Sequence, residues 1–167
     1  MEVSVESIKE LRDQTGAGIM DCKRALQETK GNMGEAEQYL ISKGIASAAK
    51  KASRVTNEGL IEAYIHSGGR IGALVELNCE TDFVARTDDF KNLAHDIAMQ
   101  VAAMGPLYID VDDVPDDESG DPQGLCLLQQ TFIKDPAISI KDLVEQTIGK
   151  LGENVKIGKF TRFSLGE

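Results

Sequence analysis

The sequence predicts an α+β fold, with a three-helix bundle over residues 1–52 and, over 53–167, a small antiparallel three-stranded sheet packed with helices. Three observations predict it. Before residue 50 the apolar side chains recur at helical spacing. From residue 60 the period changes to two. Beyond residue 87 two helical stripes return, and the chain closes on a strand-like segment.

In the bundle, Ser4 caps a helix with Glu6 in its opening turn and Val5, Ile8 and Leu11 along one side, and TGAG at 15–18 breaks it. The second helix starts at Ile19 and gathers Ile19, Cys22 and Leu26 on its inward face, with Lys23 at the edge. Met20, about 100° around from Ile19, falls away from that face. KGN at 30–32 ends this helix. Asn32 and Glu35 then form a capping box for a third, in which Ala36, Tyr39, Leu40 and Lys43 share a side before Gly44. Residues 46–59, ASAAKKASRVTNEG, combine small and basic residues with turn formers, the composition of a linker with some helix.

Leu60, Glu62 and Tyr64 alternate with Ile61, Ala63 and Ile65, HSGGR at 66–70 supplies a turn, and Ile71, Ala73, Val75 and Leu77 form the apolar side of a second strand. A hairpin is expected there. Thr87 caps the next helix, Asp88 and Asp89 suit the positive end of its dipole, and Phe90, Leu93, Ala94, Ile97, Ala98, Val101 and Ala102 trace one stripe. PLYID at 106–110 reads as a short strand or an extended return, and the acidic stretch 112–124, with its Pro and Gly, as an exposed loop. Ser139 precedes a last helix with Ile140, Leu143, Val144, Ile148 and Leu151 inward; Gly152 follows it, and NVKIGKFTRFSL, 154–165, is the closing strand.

Composition narrows the function classes. The chain is 41% apolar and 28% charged, and no apolar run approaches the roughly 20 residues that cross a bilayer. No membrane span is expected. The N-terminus lacks both the apolar block of a secretory signal and the Arg-rich bias of a transit peptide, so a cytoplasmic location is expected. Three widely spaced cysteines, Cys22, Cys79 and Cys126, suggest reduced thiols. A net charge of -10 and a pI near 4.7 set the surface against a phosphate backbone, so the expected partner is a protein or small ligand and not nucleic acid.

Enzyme signatures are poor. His66 lies in a hairpin turn and His95 in a helix, neither with a Cys or carboxylate at metal-ligand spacing, so no metal or cofactor is expected. There is no phosphate-binding loop, and the glycines of SGGRIG belong to a hairpin. Cys22 and Cys79 fit ordinary packing better than a reactive thiol. DDVPDDESGD lacks the Gly turn and terminal Glu of a calcium loop. An enzyme working through carboxylates such as Glu76 and Asp82 would need a paired base or oxyanion donor, and none is visible.

Two features stand out. TDFVA, 81–85, sets an acid beside an aromatic between a strand and a long helix; Phe83 is either a core residue or a tip that enters a partner's pocket, where its burial is worth about 2–3 kcal/mol. The core can close without it, because the inward series of the following helix starts at Phe90. The second feature is Met20 with Arg12 near the TGAG turn, an apolar and a cationic side chain suited to a protein surface.

Four segments resemble one family, bacterial-type elongation factor Ts. LRDQTGAGIMDCKRAL, 11–26, is similar to its N-terminal signature, ELNCETDFVART, 76–87, to its second, and LQQTFIKD, 128–135, with KLGENVKIGKFTRFSLGE, 150–167, to its C-terminal segment. The resemblance runs nearly end to end and in order. It implies a guanine nucleotide exchange factor for elongation factor Tu, with a ubiquitin-associated (UBA)-like three-helix domain at 1–52 and a dimerisation-type α+β core at 53–167. It implies that Thr81, Asp82, Phe83 and Val84 dislodge the magnesium ion of the GTPase, and that the N-terminal domain grips that partner, with Arg12, Met20 and Lys23 as candidates. The factor would then be no enzyme in the strict sense, since exchange proceeds by selective binding.

One departure accompanies the resemblance. Many family members carry a helical insertion where this chain has only the short acidic loop 112–124, and no second TDFV-like segment appears. Short members imply a homodimer in a two-to-two complex, and the missing helices bear on the dimer and partner contacts. The alternative reading is an adaptor, a UBA-like bundle on an oligomerising core that binds a protein without changing its nucleotide state.

Overall fold

The computed structural model describes residues 3–167. Three helices come first: α1 (Val5–Thr15), α2 (Ile19–Glu28) and α3 (Met33–Lys51). Ser4 caps α1 by accepting from the Ser7 N–H at 3.0 Å, and Gly16 closes it in the left-handed region. Asn32 caps α3, but Glu35 answers to the Asn32 side-chain amide at 3.0 Å and not to its backbone N–H, so the expected box is only half formed. Leu11, Cys22, Ala25, Leu26 and Ala36 make a small core of their own.

Two residues expected inward here are exposed. Val5 and Ile19 both stand in the first turn of their helices, and side chains lean toward a helix N-terminus, which carries these two past the end of the bundle into water. Nor does α3 stop at Gly44. GIASAAKK contains strong helix formers, and Gly44 is buried against a later helix, so the helix continues through the first half of the expected linker. Its Ala48 joins the larger core.

The sheet is antiparallel with order β1-β2-β5, formed by β1 (Glu58–Ile65), β2 (Ile71–Cys79) and β5 (Val155–Ser164). Gly68 and Gly69, both at positive φ, turn β1 into β2. Ala73, Val75, Leu77 and Cys79 face α5 (Asp88–Met104) and α7 (Ile140–Leu151), together with Phe90, Ile97, Val101, Ile140 and Ile148. On β1 it is the mixed series Leu60, Glu62 and Tyr64 that leans on the helices, while Ile61 and Ile65 face outward.

A short hairpin, β3 (Thr131–Phe132) with β4 (Asp135–Ser139), was not expected. Its anchor is Gln100, fully buried on α5. The Gln100 amide donates to Gln130 Oε1 and the Thr131 carbonyl at 3.2 and 3.1 Å and accepts from the Ile133 N–H at 3.0 Å. A buried polar residue in an apolar stripe must find partners, and the hairpin backbone supplies them. The acidic stretch also carries more order than a plain loop. A 3₁₀ turn spans Val111–Asp113 with a reciprocal Asp110–Asp113 cap, α6 (Pro122–Leu125) follows, and Tyr108 forms a parallel bridge to Cys126, which settles PLYID as an extended return.

Candidate functional site

The site begins where β2 runs out. Cys79 is the last buried residue of the strand, Glu80 turns the chain, and Thr81 caps a one-turn helix, α4 (Asp82–Ala85). Helical placement divides this turn. Val84 and Ala85 point into the core, whereas Phe83 projects outward with 78% of its surface exposed. Phe83 is therefore not a core residue. Thr87 both accepts the Phe90 N–H and donates to the Val84 carbonyl, so α4 passes directly into α5.

Every polar group of Thr81 is used. Its hydroxyl donates to Glu153 Oε1 at 2.7 Å and accepts from the Val84 N–H at 3.3 Å, while its own N–H donates to Glu153 Oε2 at 3.0 Å. Its carbonyl accepts from the Cys79 thiol at 3.1 Å and from the Ala85 N–H at 3.3 Å. Burial pushes the Cys79 thiol up to about 11, with the Glu153 charge adding to the shift, so the proton it donates stays in place at neutral pH. Asp82 pairs with Arg86 at 2.7 Å, one turn on, both in solvent. Such a pair is worth about 0.3–0.5 kcal/mol and steers Asp82 more than it stabilises the helix.

Beside this turn, Glu80 accepts from the Asn154 N–H at 2.7 Å and pairs with Arg54 at 3.4 Å. The Asn154 hydrogen bond is the first cause holding the Glu80 carboxyl below its usual range, with Arg54 assisting. Asn154 itself is buried, and its side-chain amide donates to the Arg54 and Ala52 carbonyls at 2.9 and 3.4 Å. Sequence reasoning missed Glu80, Glu153 and Asn154. No local pattern signals them, because their partners lie far along the chain.

The remaining predicted residues sit on the bundle. Arg12 is exposed in the last turn of α1, and Lys23 and Met20 are exposed on α2, Met20 to 66%. Cys22 beneath them is buried, and burial raises its thiol pKa while Arg12 opposes the shift. Thr81, Asp82, Phe83 and Val84 therefore form one continuous segment after β2, whereas Arg12 stands on α1 and Met20 and Lys23 on α2, two helices that share a separate small core. Among the described residues no three His, Cys, Asp or Glu side chains gather to hold a metal ion, and no helix is long and apolar enough to cross a membrane.

A family model described as Elongation factor TS matches residues 4–121. The chain belongs to the elongation factor Ts family. Proteins named Elongation factor Ts from Thermoanaerobacter sp. (strain X514) and Carboxydothermus hydrogenoformans are 50% and 49% identical to it, covering 99% of this chain and 96% and 90% of theirs. The one from Thermotoga sp. (strain RQ2) is 46% identical over all of this chain and 98% of its own. These alignments span 195 positions against a chain of 167 residues, so the elongation factor Ts relatives carry segments with no counterpart here. Helices around a small antiparallel sheet are the architecture the sequence led us to expect for this family.

Proposed function

We propose that the chain is a guanine nucleotide exchange factor for elongation factor Tu, acting in the cytoplasm during translation elongation. The observation that carries this reading is Phe83, an aromatic side chain held out in water at the capped end of a buried strand, in a chain of the elongation factor Ts family. An exposed Phe gains about 2–3 kcal/mol when it is buried in a partner.

The mechanism is selective binding. A nucleotide held through Mg²⁺ and a phosphate loop leaves slowly, and a factor that binds the distorted GTPase better than the GDP-bound one lowers that barrier by its differential affinity, about tenfold per 1.4 kcal/mol. Phe83 enters the GTPase and displaces the Mg²⁺ ligands. Asp82 adds charge beside the disturbed site, and Thr81 and Val84 hold the turn. Residues 1–52 act as a UBA-like domain that grips the GTPase through Arg12, Met20 and Lys23, and residues 53–167 as the core. GTP then releases the factor.

The same core supports a homodimer and a two-to-two complex. Cross-strand pairing sets Ile61, Ala63, Ile65, Leu74 and Phe163 on the sheet face away from the helices, with Leu165 beyond the strand end, and the large side chains among them are exposed. An apolar sheet face of this kind is covered well by a second copy. Light scattering with and without the partner tests it.

Stopped-flow release of a fluorescent GDP analogue from elongation factor Tu tests exchange. The chain should accelerate release about tenfold or more, and Phe83→Ala should remove most of that gain. A preparation that binds the GTPase without speeding release would reject exchange in favour of the adaptor.

A further inference from the structure

We propose that Glu153 is a positioning residue for nucleotide release, holding Thr81 and, through it, the single helical turn that presents Phe83. The inference rests on the exchange reading above. A four-residue helix has almost no stability of its own, since its N–H groups lack intrahelical partners and nucleation is unfavourable. Here the carboxylate of Glu153 takes both protons of Thr81, N–H to Oε2 at 3.0 Å and O–H to Oε1 at 2.7 Å. With its proton committed to Glu153, the hydroxyl turns a lone pair toward the Val84 N–H, which is the cap that α4 needs. Charge-assisted and paired in this way, the two bonds fix direction as well as distance.

Glu153 is itself held from behind. It follows Gly152, the left-handed cap of α7, and precedes Asn154, a buried residue bonded to Glu80 and to the carbonyls of Ala52 and Arg54 just after α3. The loop between α7 and β5 therefore braces the tip on one side and the exit of α3 on the other. Phe83 touches the partner in this scheme, and Glu153 does not. Its part is to keep the turn formed when Phe83 enters the bound GTPase, so that ordering it is not charged to the release step.

The experiment follows GDP release against concentration of the full chain. Glu153→Ala should lower the maximal release rate about tenfold, the loss of about 1.4 kcal/mol, while shifting the half-saturating concentration less than about threefold. Hydrogen exchange at the Val84 and Thr81 amides should quicken with protection elsewhere unchanged. In a Phe83→Ala background Glu153→Ala should add less than about twofold. A wild-type maximal rate in Glu153→Ala, unchanged amide protection, or a full additional loss beside Phe83→Ala would each overturn the inference. If Glu153→Ala does not fold, Glu153→Gln, which keeps the volume and one acceptor, replaces it, with a loss of about threefold expected and wild-type behaviour decisive against. Wild-type protein run in parallel separates the two readings: if it fails to speed release, exchange itself falls; if it succeeds and the Glu153 variants match it, only the positioning role does.

Discussion

Gly149 of α7 lies against Gly44 of α3 with no side chain between them: a Cβ placed on Gly149 would stand 2.6 Å from the Gly44 Cα. The relation is not reciprocal. A Cβ on Gly44 would meet its nearest atom, the Glu145 carbonyl oxygen, at 3.8 Å, an ordinary contact. This crossing brings the bundle's third helix onto the core, and it is why α3 runs on through a residue that would usually end it.

Gly149→Ala should therefore force the two helices apart and cost about 1–3 kcal/mol, in spite of the better helix propensity of Ala. Gly44→Ala should be neutral or stabilising by up to about 1 kcal/mol. Urea unfolding of both variants checks this, and equal shifts in the two would sink it.

Phe83 and Val84 are neighbours in sequence with opposite environments, one outward and one in the core. Phe83→Ala should change stability by less than about 0.5 kcal/mol, and Val84→Ala should cost roughly 1–3 kcal/mol. Guanidinium unfolding reads both. A loss of 3 kcal/mol or more in Phe83→Ala would mean the ring is packed in solution, and the wedge would have to be abandoned.

Asp82 pairs with Arg86, in water. Asp82→Ala should leave stability within about 0.5 kcal/mol and slow GDP release less than Phe83→Ala does. Parallel unfolding and release measurements decide, and a greater slowing than Phe83→Ala would move the main role from the ring to the charge.

Burial holds the Cys79 thiol protonated up to about 11, against a reference value of 9.0. The folded state thus binds this proton more tightly than the unfolded chain. Its contribution to stability is complete below pH 9 and is lost as pH rises through about 11. Cys79→Ala should show a shallower fall in unfolding midpoint between pH 9 and 11 than the wild type. Parallel slopes would show that the thiol carries none of it.

Much of the site was legible from local pattern. The alternation that defines β2 locates its end at Cys79, and the stripe beginning at Phe90 fills the helix side of the core, which leaves Phe83 without an inward role. Caps at Ser4, Thr87 and Ser139 are read from neighbouring residues because the bonds they make are three residues long. The unexpected hairpin β3–β4 shows where this fails, since Gln100 meets its partners some thirty residues away.

By itself, then, the sequence determined the three long strands, the inward faces of α5 and α7, and the place of Asp82 and Phe83 between β2 and α5, because each follows from periodicity and short-range hydrogen bonding. Tertiary structure alone decided the outward turn of Ile19, the passage of α3 through Gly44, and the clamp of Glu153 on Thr81 across 72 residues of chain. Those depend on which surfaces meet once the chain is folded, and a contact between distant residues leaves no trace in the spacing of either one.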